Sequence, residues 1–383
     1  MPPLGTAVRR HWRLEPEFCT VNHGSYGATP LPVLAAQDAW RARMEAQPTR
    51  FFNREMPSAL RASAARLAGF LGAHGDDLAF VENATAACNA VLRSLDLGAD
   101  DEIVVLAHGY GAVVNTARHV AARAGARVVV VPLPFPAPDA AALLAALRRA
   151  LSPRTRIAVL DHITSSSALV LPVAAMAAAC REAAVPVLID GAHGPGQLPL
   201  DIPSTGADWY AGNCHKWLMA PKGCGFLWAR PERQAGLHPP VISHGLDAGF
   251  LEEFDWTGTR DPSAWLAIDA ALDFYASLGG NALMTRNAEL AEAATAMLGR
   301  RFNSERGPCD GAMGVVRLPV AGHVTRERAL AIRGALLDAG TDAPVQAIDG
   351  GAWLRVSAAA YNEAADYARL ADIIAAVLRA QKE

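Results

Sequence analysis

Lys216 is the residue of this sequence whose type and surroundings could carry out amine chemistry. It lies among bulky apolar residues in the stretch 208–226, just after Asn213 and His215. An ammonium group is strongly hydrated, so burial lowers the pKa of a lysine and favours the neutral amine. Such an amine is a nucleophile that can form a Schiff base. A lysine in a solvated surface loop is the alternative, and the rest of the chain must decide between the two.

Asp190, at the end of the apolar run 186–190, supplies a second group for the same chemistry. A pyridinium ring that carries an aldehyde needs a carboxylate to keep its nitrogen protonated and an amine to bond the aldehyde. Asp190 and Lys216 can meet these two needs. Tyr110 or His108 can lie flat against such a ring.

Two further segments could bind charged groups of a cofactor and a substrate. Residues 83–86 read Asn-Ala-Thr-Ala and lead into a predicted helix, with Asn83 or Thr85 as its N-cap. A helix N-terminus offers free N–H groups to a phosphate, although an ordinary N-cap is the alternative interpretation. Arg355 can bind a carboxylate through a bidentate fork.

Alternating strands and helices must position these residues. Apolar strands are predicted at 102–107, 127–132, 156–161 and 186–190, and helices at 112–124, 138–151 and 172–184. This α/β pattern predicts a mainly parallel sheet covered by helices, with ligands bound at the carboxyl ends of its strands. Polar residues cluster at those ends, namely His108, Tyr110, Asp161, His162, Thr164, Ser165, Asp190 and His193.

The length of 383 residues favours two domains. We predict a large domain over 50–260 and a smaller α+β domain over 261–383, with an N-terminal segment, 1–49, that packs with the smaller domain. Further helices are predicted at 31–47, 57–73, 263–300, 325–339 and 363–380, with a short strand or turn at 79–83 and strands at 314–319 and 352–357.

Composition limits the functional classes. The formal net charge of −3 gives no reason to expect nucleic-acid binding. No apolar run approaches about 18 residues, so no membrane span is expected. The six cysteines lack CxxC spacing, which argues against a zinc site and a disulfide framework and suits a reducing compartment. With no signal-peptide pattern in the first residues, a cytoplasmic protein is expected.

Seven segments carry a resemblance to a known family, and they are 22–27, 82–85, 108–112, 190–193, 212–216, 256–263 and 354–362. The sequence resembles the class V aminotransferase-fold enzymes that depend on pyridoxal phosphate (PLP), and within them the isopenicillin N epimerase-like group. The match spans nearly the whole chain. It implies the PLP-dependent transferase fold type I and a small-molecule amino-acid substrate.

The resemblance also implies roles for individual residues. Lys216 would form the Schiff base and carry the Cα proton, Asp190 would pair with the pyridine nitrogen, and His193 would lie near the ring. Further cofactor contacts are implied for Ala84, Thr85, Ala86, His108, Tyr110, Ser165, Asn213 and His215, with Tyr110 preferred over His108 for ring stacking. Thr259 would reach the phosphate of a neighbouring subunit, which implies a homodimer with active sites at the interface. Substrate contacts are implied for Asn22, His23 and Arg355.

The reaction itself stays open. Epimerisation or transamination through an external aldimine is the preferred prediction, with C–S lysis by β-elimination as the alternative. Residues 343–351 lack the cysteine of cysteine desulfurases, which argues against desulfuration through a persulfide.

Proteins of other classes are alternatives to the family that this resemblance indicates. A metal-dependent hydrolase could use the strand-end residues His108, Asp161, His162, Asp190, His193 and His215, although no HxH or HExxH pair supports it. A dinucleotide loop at 191–196 has reversed glycine spacing. A non-catalytic remnant of the fold is disfavoured because Asp190 and Lys216 are both present.

Overall fold

Seven strands form the central sheet of the chain. The structure is a computed structural model, and it describes residues 4–136 and 139–380. The strands of the chain are β1 (Cys19–Thr20), β2 (Leu78–Val81), β3 (Glu102–Leu106), β4 (Arg127–Val131), β5 (Thr155–Asp161), β6 (Val187–Gly191), β7 (Trp209–Asn213), β8 (Gly225–Ala229), β9 (Met313–Arg317), β10 (Thr341–Asp342), β11 (Val345–Ile348) and β12 (Gly351–Ser357). The central sheet has the order β2-β8-β7-β6-β5-β3-β4, and β8 alone runs antiparallel to its neighbours in it.

Helices cover this sheet and build the remainder of the chain. They are α1 (His23–Tyr26), α2 (Leu31–Ala46), α3 (Pro48–Arg50), α4 (Met56–Phe70), α5 (Ala84–Arg93), α6 (Gly111–Ala124), α7 (Ala140–Ala150), α8 (Val173–Glu182), α9 (Phe250–Asp255), α10 (Ser263–Leu266), α11 (Ile268–Ser277), α12 (Asn281–Phe302), α13 (Arg326–Asp338) and α14 (Ala364–Ala380). A single π-helical turn, Phe51–Glu55, joins α3 to α4. None of the helices in the described residues is long and apolar enough to cross a membrane.

Local sequence signals explain most of these elements. The inner strands β3, β6 and β7 are buried along their whole length, as near-continuous apolar strands between two helical layers must be. The side chain of Asp139 accepts a hydrogen bond from Ala141 N and caps α7, and Thr325 caps α13 in the same way through Arg328 N. The mainly parallel sheet predicted from the sequence is confirmed.

The predicted strands at 102–107, 127–132, 156–161 and 186–190 correspond to β3–β6. The helix predicted at 138–151 corresponds to α7, and residue 138 lies outside the described residues. The region 263–300, predicted as helical, is divided into α10, α11 and α12. The sequence analysis predicts neither β7 nor β8, and within β7 the residues Gly212 and Asn213 are poor strand formers. These two strands nevertheless flank Lys216.

A smaller antiparallel sheet, ordered β11-β12-β9, forms the C-terminal part of the chain. The N-terminal strand β1 pairs with β10 and so joins this part. The predicted boundaries at residues 49/50 and 260/261 stay predictions. The hydrophobic clusters do not follow them in detail, since Val33 and Trp265 pack in the same cluster as the central sheet, whereas Val21 packs with the C-terminal part.

Candidate active site

Lys216 lies in the connection between β7 and β8, and only 8% of its surface is exposed to solvent. Burial lowers the pKa of its ammonium group to about 7. The charge of Arg355 lowers this pKa as well, whereas the charge of Asp190 raises it. A large fraction of the lysine is therefore a neutral amine near pH 7, which is the form that can act as a nucleophile or a base.

His193 is the hydrogen-bond partner of the lysine amine. Its Nε2 lies 3.1 Å from Lys216 Nζ, and the indole Nε1 of Trp217 donates to its Nδ1 at 3.4 Å. Burial lowers the pKa of His193 well below its usual value, and the charges of Lys216 and Arg355 act in the same direction. His193 is consequently a neutral imidazole in this site.

Two buried carboxyl groups, Asp190 and Asp161, face each other in register on β6 and β5. Burial raises the pKa of both, and the charge of Asp190 raises that of Asp161 further, whereas Lys216 lowers that of Asp190. The charge of Lys216 therefore favours ionisation of Asp190 over ionisation of Asp161. One of its oxygens accepts from Ala192 N at 3.1 Å, and the other has no hydrogen-bond partner within the described residues.

The N-terminus of α5 adjoins the same cavity. Asn83 is its N-cap, with Oδ1 accepting from Ala86 N at 3.0 Å. The side chain of Asn213 accepts from Ala84 N at 2.8 Å, so the amides of Ala84 and Ala86 are already engaged. The N–H and hydroxyl of Thr85 donate to no group of residues 4–136 and 139–380. Thr85 is thus the residue of this turn with the most free hydrogen-bonding capacity for an anion.

His215 borders the cavity beside this turn. Its Nδ1 lies 3.2 Å from the carbonyl oxygen of Cys224, to which it must donate. Burial lowers the pKa of His215 to about 4. Its Nε2 is therefore an acceptor in the neutral ring, and contact with a phosphate would require protonation, which the charge of a phosphate favours.

Tyr110 and Ser165 line the cavity, and His108 does not. His108 lies in a neighbouring cavity, with Nδ1 2.9 Å from Ser167 Oγ and its ring packed edge-on against Phe135. The cofactor contact expected of His108 is not supported by this geometry. A strand end brings a side chain to the correct edge of the sheet, but the rotamer of that side chain depends on its packing.

Arg355 is a buried cation beside the cavity. Its Nη1 donates to the carbonyl of Ser165 at 2.5 Å, and its Nη2 donates to Asn22 Oδ1 at 3.1 Å and Ser25 Oγ at 2.8 Å. The Nε of Arg355 is buried and has no partner, and the guanidinium forms no ion pair with a carboxylate of the described residues. A buried charge without a counterion is costly, so this position suits an anionic ligand.

His23 does not line the cavity, because both of its ring nitrogens contact the protein. Nδ1 lies 2.9 Å from the hydroxyl of Tyr361, and Nε2 lies 2.9 Å from the carbonyl oxygen of Lys216. The structure therefore places His23 behind the lysine rather than on the substrate side. Asn22 does not line the cavity either, and its Oδ1 accepts a hydrogen bond from Arg355.

The cavity at Lys216, here named the lysine cavity, has a volume of about 310 Å³. It brings together most of the residues that the sequence pointed to, namely Ala84, Thr85, Tyr110, Ser165, Asp190, His193, Asn213, His215 and Lys216. It also contains residues that sequence reasoning missed, namely Ser25, Tyr26, Glu82, Ile163, Ala192, Lys222 and Gly223. Four of these lie in segments that carry the family resemblance, Ser25 and Tyr26 in 22–27, Glu82 in 82–85 and Ala192 in 190–193.

Lys222 is a second lysine of the lysine cavity. Its Nζ donates to the hydroxyl of Thr29 at 3.4 Å, a long hydrogen bond, and burial lowers its pKa. The cavity wall thus carries two amines whose pKa values are lower than that of an ordinary lysine.

Thr259 lies outside the lysine cavity of its own chain. It is exposed and lines a separate groove together with Phe52, Leu251 and Trp256. Within one chain the structure therefore does not bring Thr259 to the other predicted site residues.

The strand-end residues that suggested a metal-dependent hydrolase do not form a cluster of ligands. Within the described parts of the chain, the group whose possible ligand atoms lie within 4.8 Å of one another is His238, Asp247 and Glu253. There the carboxylate of Glu253 is already bound by His238 Nδ1 at 2.7 Å and by Asp247 N at 3.3 Å.

The lysine cavity has the groups that PLP requires. The amine of Lys216 can bond an aldehyde, the unpaired oxygen of Asp190 can accept from a pyridinium N–H, and Thr85 can bind a phosphate. The mainly parallel sheet, with this site at the carboxyl ends of its strands, defines a PLP-dependent enzyme of fold type I.

The comparisons with known proteins specify the family. The profile of the aminotransferase class-V family matches residues 27–370, and the chain belongs to that family. An isopenicillin N epimerase from Amycolatopsis lactamdurans is 34% identical and aligns with 96% of this chain and 97% of its own. A putative L-cysteine desulfhydrase 1 from Oryza sativa subsp. japonica is 39% identical over 70% of this chain, and the match spans 60% of that relative's length.

The likeness extends to solved structures. A cysteine desulfurase from Thermococcus onnurineus NA1 superposes with a TM-score of 0.83 over 99% of both chains at 16% identity, which shows the shared fold. The predicted family, the enzyme class and the cofactor PLP are confirmed by these findings. A metal-dependent hydrolase and a dinucleotide-dependent enzyme are not supported.

Proposed function

We propose that this enzyme moves the Cα proton of an amino-acid substrate, as an epimerase or aminotransferase of the isopenicillin N epimerase-like group. The observation that carries the proposal is the buried amine of Lys216, 3.1 Å from the neutral ring of His193. Bound PLP would withdraw electrons from Cα and so lower the barrier to removing the Cα proton. The amine of Lys216, when it is not bonded to the cofactor, would accept and return that proton.

Other residues of the lysine cavity orient the cofactor. Asp190 would hold a proton on the pyridine nitrogen, because the charge of Lys216 favours its ionised form and one of its oxygens is free. Thr85 would donate to the phosphate, with Ala84, Ala86, Asn213 and His215 shaping the same turn. Tyr110 would lie against the ring, and His193 would lie near the ring's phenolic oxygen.

Arg355 would bind the α-carboxylate of the substrate. Its charge is buried without a counterion in the described residues, and the unpaired Nε offers a donor. Ser165, Asn22 and Ser25 hold the guanidinium from two sides and fix its plane. This arrangement would orient the Cα–H bond towards Lys216.

Epimerisation requires a proton donor on each face of Cα, and Lys222 supports that assignment. It lines the lysine cavity together with Lys216, and its long hydrogen bond to Thr29 leaves the amine free to reorient. Lys216 would act on one face and Lys222 on the other. An aminotransferase would need Lys216 alone.

A second candidate is a C–S lyase that acts by β-elimination. The similarity to the rice protein named as a putative L-cysteine desulfhydrase supports it. Because residues 343–351 contain no cysteine, the sulfur would leave directly rather than through an enzyme persulfide.

The test is incubation of the PLP-loaded enzyme with a panel of L-amino acids in deuterated water. Deuterium at Cα with inversion identifies an epimerase, formation of a keto acid that depends on an amino acceptor identifies an aminotransferase, and pyruvate with ammonia identifies a lyase. If no amino acid exchanges its Cα proton and none is converted, the proposal is wrong. Lys216→Ala is the matched control, and it must abolish every one of these reactions.

The homodimer expected from the sequence is part of the proposal. The apolar groove around Thr259 supports it, because Phe52, Leu251 and Trp256 would be covered by a second subunit. Mixing the inactive variants Lys216→Ala and Thr259→Arg tests it. Activity should reappear if Thr259 completes the partner's site, and it should stay absent if each chain is self-sufficient.

The expected cytoplasmic location is also a proposal. All six cysteines are free, and five of them are buried, which suits a reducing compartment. Fractionation of cells that produce the tagged protein would test the location.

A further inference from the structure

A second cavity adjoins the lysine cavity and is not used by the proposed chemistry. This outer cavity has a volume of about 650 Å³. It is lined on one side by the start of α6, and on the other by Arg326 at the start of α13 and Gln346 of β11. It therefore lies between the central sheet and the C-terminal part of the chain.

The two cavities share a wall. Tyr110 and Ser165 line both of them. Ser165 is also the residue whose carbonyl accepts from Arg355 at 2.5 Å. A substrate whose α-carboxylate is bound at Arg355 would consequently lie beside the wall that the outer cavity shares with the lysine cavity. With PLP in the lysine cavity, a long side chain would have this outer volume available.

The outer cavity carries unpaired positive charge. Arg118 and Arg326 both line it, both are exposed, and neither forms an ion pair with a carboxylate of the described residues. His108 adds a polar side chain to the wall of the outer cavity, although its Nδ1 already contacts the hydroxyl of Ser167. The opposing charge is Asp349, which is exposed and acts on His108. Two arginines against one carboxylate give these groups a net positive charge, which favours the binding of an anion in the outer cavity.

We propose that the outer cavity binds the distal end of the substrate's side chain, and that the substrate is an amino acid whose extended side chain ends in an anionic group. Arg118 and Arg326 are the residues that would select it. This inference rests on the proposed function, because it assumes that an amino acid is bound at Arg355. It narrows the substrate class from any amino acid to long acidic ones.

The experiment measures binding of amino acids to the PLP-loaded enzyme by the change in its visible absorbance. The probes are L-aspartate, L-glutamate, L-2-aminoadipate and L-2-aminopimelate, each compared with its neutral ω-amide, and L-alanine. We expect the acids to bind more tightly than their amides, by roughly tenfold (about 1.4 kcal/mol) for the longer members, since each acid can form a charge-assisted contact with an arginine.

Variants assign the preference to named residues. Arg118→Gln and Arg326→Gln should each lower the preference for acid over amide and leave the binding of L-alanine unchanged. Arg123→Gln is the matched control, because Arg123 is exposed on the same helix α6 but does not line the outer cavity. It should bind every probe like the unmodified enzyme.

Three results would overturn the inference. Equal binding of acids and amides would show that the outer cavity does not select anions. A preference that survives both substitutions would place the selection elsewhere. If the PLP-loaded enzyme responds to no amino acid at all, the proposed function fails and this inference fails with it, whereas a response to L-alanine without any preference for acids overturns only the inference.

Discussion

The indole N–H of Trp217 donates to Nδ1 of His193 and thereby fixes the tautomer of the imidazole. An indole nitrogen is a donor only, so Nδ1 must be the unprotonated nitrogen of the neutral ring. The proton of His193 is therefore on Nε2, which lies 3.1 Å from Lys216 Nζ. This N–H can pair only with the lone pair of a neutral amine. Trp217 is in this way a positioning residue for the proton on Lys216.

Trp217→Phe should raise the pKa of Lys216 by about one pH unit, because the freed His193 can flip its tautomer and accept from the ammonium form. The rate at which the apoprotein captures PLP, followed by visible absorbance, should shift to higher pH accordingly. Trp12→Phe is the control, since the indole of Trp12 donates to Ala28 O, away from His193. An unchanged pH profile in Trp217→Phe would refute the positioning role.

In the unmodified apoprotein the rate of PLP capture should rise with pH and reach half of its maximum near pH 7, because the neutral form of Lys216 is the nucleophile. The same lowered pKa has a consequence for stability. From pH 7 up to the ordinary lysine pKa of about 10.4, the unfolded chain holds a proton that the folded chain has lost, so the free energy of unfolding should increase with pH. Lys216→Met should remove both effects. A capture rate that becomes maximal only near the ordinary lysine pKa would contradict the prediction.

Asp190→Asn should lower turnover by at least about 100-fold, since a neutral amide cannot hold a proton on the pyridine nitrogen. PLP should still bind, although more weakly. Asp161→Asn is a matched control on the adjacent strand, because burial and the charge of Asp190 raise the pKa of Asp161 and favour its neutral form. The amide oxygen can still accept from Tyr110 N, as Asp161 does at 3.2 Å. Near-normal turnover in Asp190→Asn, measured alongside this control, would exclude the proposed role.

Lys222→Met should separate the two faces of Cα. If Lys222 serves the second face, the variant should keep exchanging the Cα proton for deuterium through Lys216 while its rate of inversion falls at least about 100-fold. Thr29→Val, which removes the hydrogen-bond partner of Lys222 together with the Thr29 hydroxyl bond to Ala220 O at 3.2 Å, should retain inversion. Measuring both the deuterium content and the chirality of the recovered amino acid shows whether Lys222 serves the second face of Cα. Equal loss of exchange and inversion would mean that Lys222 acts through structure alone.

The elements that could be predicted from the sequence are those whose apolar residues are continuous or periodic. β3 and β6 are such runs, and their ends placed Asp190 correctly at the cavity. β7 was not predictable because Gly212 interrupts its pattern and its strand character depends on pairing with β6 and β8. The Cβ of any other residue at position 212 would lie 2.2 Å from the ring of Phe226, so packing requires this glycine.

Site residues from irregular segments escaped prediction for a related reason. Lys222 belongs to a loop and Tyr26 ends the four-residue helix α1, which is too short to show periodicity, and only the fold brings these two segments together. Gly27 shows how close they lie, because a Cβ there would be 1.9 Å from the carbonyl oxygen of His215. The family resemblance implied a substrate contact for His23, whereas its ring nitrogens contact Tyr361 and the backbone of Lys216.

The contacts of Arg355 and His23 can form only after most of the chain has been synthesised at the ribosome. The segments that carry Asp190, His193 and Lys216 emerge well before Arg355, which must reach back 333 residues to Asn22. Tyr361 must likewise contact His23, which is synthesised much earlier and whose Nε2 lies 2.9 Å from the carbonyl oxygen of Lys216. The nascent chain thus acquires Lys216 early and Arg355 late. A partly synthesised chain would contain Lys216 but would lack Arg355, whose charge helps to lower the pKa of that lysine and which we propose as the carboxylate-binding residue.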